Sequence, residues 1–165
     1  MHGLSFREIT EKEFTIIEKW YEMTGCFGHA TGFKNFSEVQ HRLLNLSGKT
    51  AFVICYESDT VGFIFAEIIK STGTPVLWIY VLLIEPDYQR KGFGTWAVNR
   101  LIDITKSEYD TFICIAPVSQ KNEKGLCFWE SLGFVRSCNL EKNLKPDKQV
   151  AVFIRNISSD TESHF

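Results

Sequence analysis

The longest apolar run in the chain, Val76 to Ile84, is nine residues. It ends at Glu85-Pro86, just before the glycine-containing segment Gln89-Arg90-Lys91-Gly92-Phe93-Gly94-Thr95. A β-rich run closed by proline and followed by residues at helical spacing reads as a buried strand that passes through a loop into a helix. That helix is expected from about Phe93 to Lys106, with Ala97, Leu101 and Ile104 on one face, and a strand at Thr111–Ala116 follows it. A crossover helix joins parallel strands, so the chain must be α/β with at least one parallel pair. A spanning helix needs about 20 apolar residues, so no transmembrane segment is expected.

Around this centre the remaining patterns are short. Leu4–Ile9 alternates as a strand does, and Thr10-Glu11-Lys12-Glu13 matches a capping box opening a helix with Phe14, Ile17 and Trp20/Tyr21 on one face. Gly25, Gly28 and Gly32 space a loop between Met23 and Asn35. Ser37 should cap a second helix through Leu46, with Val39, Leu43 and Leu46 aligned. Thr50–Tyr56, Val61–Ile69 and Val76–Ile84 are separated by turn-forming Glu57–Thr60 and Ser71–Thr74, and should form an antiparallel meander. A helix at Asn122–Leu132 and strands at Phe134–Leu140 and Val150–Ile157 complete the order, ahead of a polar tail, Ser158–Phe165. With no repeat or linker, residues 1–157 read as one domain of a 165-residue chain.

Composition narrows the function. Lys plus Arg number 18 against 20 for Asp plus Glu, a formal charge of −2, which disfavours a nucleic-acid partner. Cys26, Cys55, Cys114, Cys127 and Cys138 are odd in number and lack C-x-x-C spacing, so neither a disulfide framework nor a zinc knuckle is expected. Cys55 and Cys114 sit in apolar runs and read as core residues. A reducing cytoplasm fits this usage, and Arg7, Glu8, Glu11, Lys12 and Glu13 argue against a secretory signal.

The Gln89–Thr95 segment carries the chemistry. Gly92 and Gly94 let backbone approach a ligand, the first helical turn offers unpaired N–H groups, and the macrodipole with Arg90 and Lys91 adds positive charge. Such a place binds a phosphate or pyrophosphate. Gly92-x-Gly94-x-x-Ala97 also fits a dinucleotide fingerprint. However, the motif lies past mid-chain, seven residues separate Ile84 from Gly92, and the strand ending near Ala116-Pro117 offers no acid for a ribose. No Gly-Lys-Ser/Thr closes the loop, which excludes a P-loop.

Gln89-x-x-Gly92-x-Gly94 resembles the Q/R-x-x-G-x-G/A signature of the GNAT N-acetyltransferase superfamily, and Asn122-x-x-Gly125-x-x-x-Trp129-x-x-x-Gly133-Phe134 looks like that family's later helix. Phe6-Arg7-Glu8-Ile9-Thr10 followed by Trp20 resembles the branch holding ribosomal-protein N-terminal and aminoglycoside acetyltransferases. The resemblance implies a mixed, mostly antiparallel seven-stranded sheet with a splayed parallel central pair and about four helices. It further implies acetyl-CoA as cosubstrate, no metal, an amine acceptor (small molecule or peptide N-terminus), and a homodimer as one option for assembly. It places a bulge near the end of the Val76–Ile84 strand, with pantetheine pairing to backbone around Leu82, Leu83 and Ile84. Pyrophosphate would lie on Gln89, Arg90, Lys91, Gly92, Phe93, Gly94 and Thr95, with Asn122 and Trp129 beside the cofactor arm.

Two departures from the family pattern bear on proton transfer. The family tyrosine that protonates the departing thiolate falls at Trp129, whose indole only donates hydrogen bonds, and Gly125 replaces an alanine. For the base, a turn pairing Lys70 with Pro75 sets Glu67 opposite Trp78 on one face. That carboxylate is the first candidate. Glu85 is the second candidate and Tyr80 the third. His29 and His41 are expected at the surface, while Phe27, Phe33 and Phe36 could line an acceptor pocket. The rival reading is a non-catalytic acyl-CoA-binding sensor.

Overall fold

The computed structural model describes residues 2–23, 36–44, 49–70, 72–143 and 149–158. The chain runs β1 (Leu4–Glu8), α1 (Glu11–Glu22), α2 (Phe36–Leu44), β2 (Lys49–Tyr56), β3 (Asp59–Ile69), β4 (Val76–Ile84), a 3-10 turn (Pro86–Tyr88), α3 (Phe93–Lys106) and β5 (Thr111–Ser119). It continues through α4 (Glu123–Ser131), β6 (Val135–Arg136), α5 (Cys138–Asn143) and β7 (Val150–Ser158). The seven strands form one sheet in the order β1-β2-β3-β4-β5-β7-β6. Every neighbouring pair is antiparallel except β4 and β5. The expected mixed α/β sheet is therefore present, with its parallel pair at the centre. No helix among the described residues is long and apolar enough to cross a membrane.

Two cores lie on opposite faces of the sheet. Ile17 and Trp20 of α1 and Phe36, Val39 and Leu43 of α2 close over Val53, Phe63, Phe65, Val81 and Leu83. On the other face Phe93, Ala97, Val98, Leu101 and Ile102 of α3, with Trp129 of α4, cover Ile64, Ala66, Leu77, Ile79, Cys114 and Phe153. Burial of apolar area on both faces is the main stabilising term, at about 25 cal/mol per Å². Of the α3 face expected from spacing, Ala97 and Leu101 are buried but Ile104 is only half-buried, because Val98 and Ile102 turn toward the sheet instead.

Three expectations need correction. Helix α2 begins at Phe36, so Ser37 lies inside it rather than capping it, and Phe36 is core. Leu46, His29, Phe27, Phe33 and the tail beyond Ser158 lie outside the described residues. The expected strand Phe134–Leu140 pairs only at Val135 and Arg136. Its second half is α5, held because the Glu141 carboxylate accepts from Val152 N–H at 3.0 Å and pairs with Arg136 at 2.7 Å.

The capping box at the start of α1 is formed. The Glu13 carboxylate accepts from the Thr10 N–H at 2.8 Å and its hydroxyl at 2.6 Å, and Arg7 lies 3.2 Å away. The Thr10 hydroxyl chiefly, against burial and helped by Arg7, holds the Glu13 carboxyl below its ordinary 4.5. A carboxyl lowered on folding stabilises the fold above that value, and the contribution is lost as pH falls through the folded one. Thermal unfolding should therefore show Glu13→Gln less stable than wild type near neutrality. The gap should begin to narrow near about pH 4.5 and close as pH falls through the lower folded value; a gap independent of pH would contradict this account.

Candidate active site

Strand β4 pairs with β5 only at Val76–Ile113, Leu77–Cys114 and Trp78–Ile115, after which the strands part. Each strand supplies a reason. On β5, the Ile113 N–H donates toward β4, to Pro75 O at 3.0 Å. Backbone groups alternate sides along a strand, so the N–H that should serve β4 two residues past Ile115 belongs to Pro117, which has none. On β4, Ala66 pairs with Ile79 and Phe65 with Val81, leaving Tyr80 as an inserted bulge residue.

That one residue reverses the facing of everything after it. Leu77 and Ile79 enter the core under α3, whereas Val81 and Leu83 enter the core under α1 and α2. The bulge thus sits at Tyr80, in mid-strand, not near the strand end. Between the parted strands lies a cleft lined by Ile79–Leu82, Pro117 and Val118, and closed by Asn122, Gly125, Phe128 and Trp129 of α4.

The first turn of α3 lies beside Phe128, a wall of this cleft. The N-cap Gly92 adopts φ 82°, a left-handed conformation that glycine takes without a Cβ penalty, and Arg90 is held at φ 61° in the same region. The first bond of α3 runs from Trp96 N–H to Gly92 O at 2.9 Å. The N–H groups of Phe93, Gly94 and Thr95 therefore have no partner within the helix. A Cβ built on Gly94 would stand 3.2 Å from the Phe128 ring and 3.8 Å from Ile84, so this turn is packed directly against the cleft wall.

The other expected cofactor residues divide. Leu82 lines the cleft and Ile84 packs on the α3 side, but the Leu83 side chain is buried on the far face, leaving only its backbone. Gln89 donates its amide to Ile84 O at 2.8 Å, tying the loop to the strand end. Arg90 and Lys91 are exposed, and the Lys91 ammonium lies 5.3 Å from the Tyr88 ring centre. Phe93 is buried against Tyr56 and Tyr88.

Asn122 caps α4, its Oδ1 accepting from Gly125 N–H at 2.9 Å. An alanine Cβ at position 125 would overlap the Asn122 amide, lying 2.7 Å from its Cγ. Gly125 is thus what lets Asn122 fold over the helix start. Gly125→Ala should be nearly neutral in stability, because about 1 kcal/mol of helix propensity is offset by about 1 kcal/mol of lost capping. In an Asn122→Ala background the same change should stabilise by about 1 kcal/mol. Equal effects in both backgrounds, read from urea unfolding, would refute the coupling. Trp129 is buried, edge-on to Phe128 and Phe134.

On the α1/α2 face of the bulge, Glu67 stands opposite Trp78 as the turn arithmetic requires. The Tyr80 hydroxyl donates to Glu67 Oε2 at 2.9 Å, its ring stacks on Phe65, and the Arg42 guanidinium lies 5.0 Å from the ring centre. Burial first, then the Glu67 carboxylate, raises the Tyr80 phenol above its ordinary value, with Arg42 opposing. The Trp78 indole N–H is buried without a hydrogen-bond partner among the described residues.

Glu67 and Tyr80 are therefore brought together, and Glu85 is not. It lies five residues past the bulge at the loop end of the cleft, with its N–H bonded to Val61 O at 2.8 Å. The Cys114 thiol, pushed up to about 12 by burial, is no nucleophile near neutrality. His41 is exposed as expected. Sequence reasoning missed Phe128, which walls the cleft, and Arg42, whose approach to Tyr80 depends on how α2 packs. Among the described residues no three His, Cys, Asp or Glu side chains are placed to hold a metal.

A parallel pair splayed at a bulge, beside a helix start with unpaired N–H groups, is the arrangement of an acyltransferase scaffold. The chain belongs to the acetyltransferase (GNAT) family, whose model matches residues 10–134. No curated protein matches it in sequence. Solved structures share the fold at low identity. The spermidine N-acetyltransferase of Vibrio cholerae, in complex with CoA and spermine, is 17% identical with a TM-score of 0.71, over 95% of this chain and 96% of that one. The ribosomal-protein-S18-alanine N-acetyltransferase of Escherichia coli is 16% identical with a TM-score of 0.67, over 98% and 99%. An acetyltransferase of Thermus thermophilus is 18% identical with a TM-score of 0.72, over 95% and 100%.

Proposed function

We propose that the protein moves acetyl from acetyl-CoA to a primary amine by direct attack in a ternary complex. The observation that carries this reading is the cleft at the unpaired edge of β4, one of whose walls, Phe128, also packs against Gly94 in the first turn of α3. An extended pantetheine adds to that edge as a strand would, through backbone at Leu82, Leu83 and Ile84. Pyrophosphate is received by N–H groups from Gly92 to Thr95, with Arg90 and Lys91 supplying charge. Asn122 and Trp129 wall the arm. A β4 N–H at the bulge polarises the thioester carbonyl and stabilises the oxyanion.

The acceptor approaches from the α1/α2 face, where Glu67 takes the ammonium proton, directly or through water. The structural neighbours that act on spermidine and on a protein alanine both support an amine acceptor, small molecule or peptide N-terminus. Incubation with acetyl-CoA and a panel of amines, followed by free-thiol detection and mass spectrometry, tests the proposal. Thiol release matched by an acetylated amine is expected. CoA binding without thiol release for any acceptor would instead identify an acyl-CoA sensor.

A further inference from the structure

Acetyl transfer to an amine needs a group that returns a proton to the departing thiolate, and Trp129 cannot supply one because an indole N–H does not titrate in a useful range. The described residues lining the cleft are Ile79–Leu82, Pro117, Val118, Asn122, Gly125, Phe128 and Trp129, and of these only Tyr80 carries an ionisable side chain. Tyr80 is also the residue the bulge inserts, at the point where β4 leaves β5. Its hydroxyl is already hydrogen-bonded to Glu67 at 2.9 Å.

From this juxtaposition we infer that Tyr80 is the acid that protonates the thiolate, and that Glu67 re-protonates Tyr80. The inference rests on the proposed activity and adds a residue and a proton path to it. Glu67 removes one proton from the ammonium, and the neutral amine attacks the thioester carbon. As the tetrahedral adduct collapses, the C–N bond stays and the C–S bond breaks. The sulfur takes the phenolic proton, and the carboxylic acid of Glu67 hands its proton to the phenolate. The second proton on nitrogen leaves to water, so the site ends as it began. One carboxylate and one phenol in contact thus carry a proton from nucleophile to leaving group.

Among the described residues, the charged groups seen against Tyr80 are Glu67 from β3 and Arg42 from α2, with the Trp78 and Phe65 rings beside them. The cationic Arg42 above the ring stabilises a transient phenolate, as the second half of the relay requires.

The experiment is single-turnover kinetics of the full chain with acetyl-CoA and an amine that wild type acetylates. Three proteins are compared: wild type, Tyr80→Phe, and a protein carrying a fluorinated, more acidic tyrosine at position 80. Tyr80→Phe should lower the acetyl-transfer rate by about 10²-fold with little change in acetyl-CoA affinity. The fluorinated phenol keeps the packing and should move the basic limb of the pH–rate profile to lower pH. A Tyr80→Phe rate within about threefold of wild type, or a basic limb that stays in place with the fluorinated ring, overturns the relay. Should wild type bind CoA yet acetylate no amine, the proposed activity itself fails, and that result is distinct from either outcome for Tyr80.

Discussion

Gly94→Asp is expected to lower CoA affinity by at least about 10²-fold while leaving the fold as stable as wild type or slightly more so. The two halves of this prediction have opposite physical signs. Gly94 is the second residue of α3, after the N-cap Gly92 and Phe93. An aspartate in a first helical turn favours the macrodipole by about 0.3–1 kcal/mol, which helps the fold. The same carboxylate competes with a pyrophosphate for those N–H groups and repels it. A pair of unit charges 4 Å apart near a surface interacts by about 4 kcal/mol before salt screening. Crowding adds little: the Cβ would meet the Phe128 ring edge at 3.2 Å, and that ring is half-buried with room to yield. Gly94→Ala separates the terms, since it brings the crowding without the charge and should cost only a few-fold in affinity. Calorimetric titration with CoA, alongside thermal unfolding, decides the matter. Unchanged affinity in a folded Gly94→Asp protein would remove the pyrophosphate from this turn.

Glu67→Gln should reduce turnover by about 10²-fold or more while leaving acetyl-CoA affinity near wild type. The substitution isolates proton transfer because the amide oxygen still accepts from the Tyr80 hydroxyl, so the 2.9 Å contact and the ring stacking on Phe65 survive. Glu67 also belongs to the α1/α2 face of β3, whereas the turn proposed to hold the pyrophosphate opens α3 on the other face. Loss of turnover with unchanged cofactor affinity is therefore the signature of a base rather than of a damaged cleft. Steady-state kinetics with a fixed amine, alongside calorimetric titration with acetyl-CoA, provide the check. Turnover near wild type would transfer the base role to a water or to another side chain.

Local patterns in the sequence determined most of the scaffold. The nine-residue run of β4, the helix Phe93–Lys106, the capping box at Thr10 and the helix opening after Asn122 each depend on neighbours a few residues apart, and each stands where spacing puts it. Turn geometry carried further: pairing Lys70 with Pro75 sets Glu67 against Trp78, because an antiparallel register is fixed by the turn that closes it. Pro117 lies beyond the expected end of its strand at Ala116, and its missing donor matters only because β5 runs on to Ser119 with that side toward β4.

Where the pattern was local but ambiguous, the sheet decided. Phe134–Leu140 looks like a strand, yet only Val135 and Arg136 pair with β7, and Glu141 binds Val152 from the helix that replaces the rest. The bulge was not visible either. Val76–Ile84 is apolar throughout, so alternation gives no sign that one residue is extra; only the competing demands of two cores place the insertion at Tyr80. Glu67, Tyr80 and Arg42 come from β3, β4 and α2, and no sequence spacing joins all three. Their meeting follows from a sheet register, a bulge and a helix packed across both. The sequence by itself determined most elements and the glycine turn that opens α3, since those are short-range backbone properties. Only the tertiary structure decided which side chains share the cleft, because facing and contact across strands are set by long-range packing.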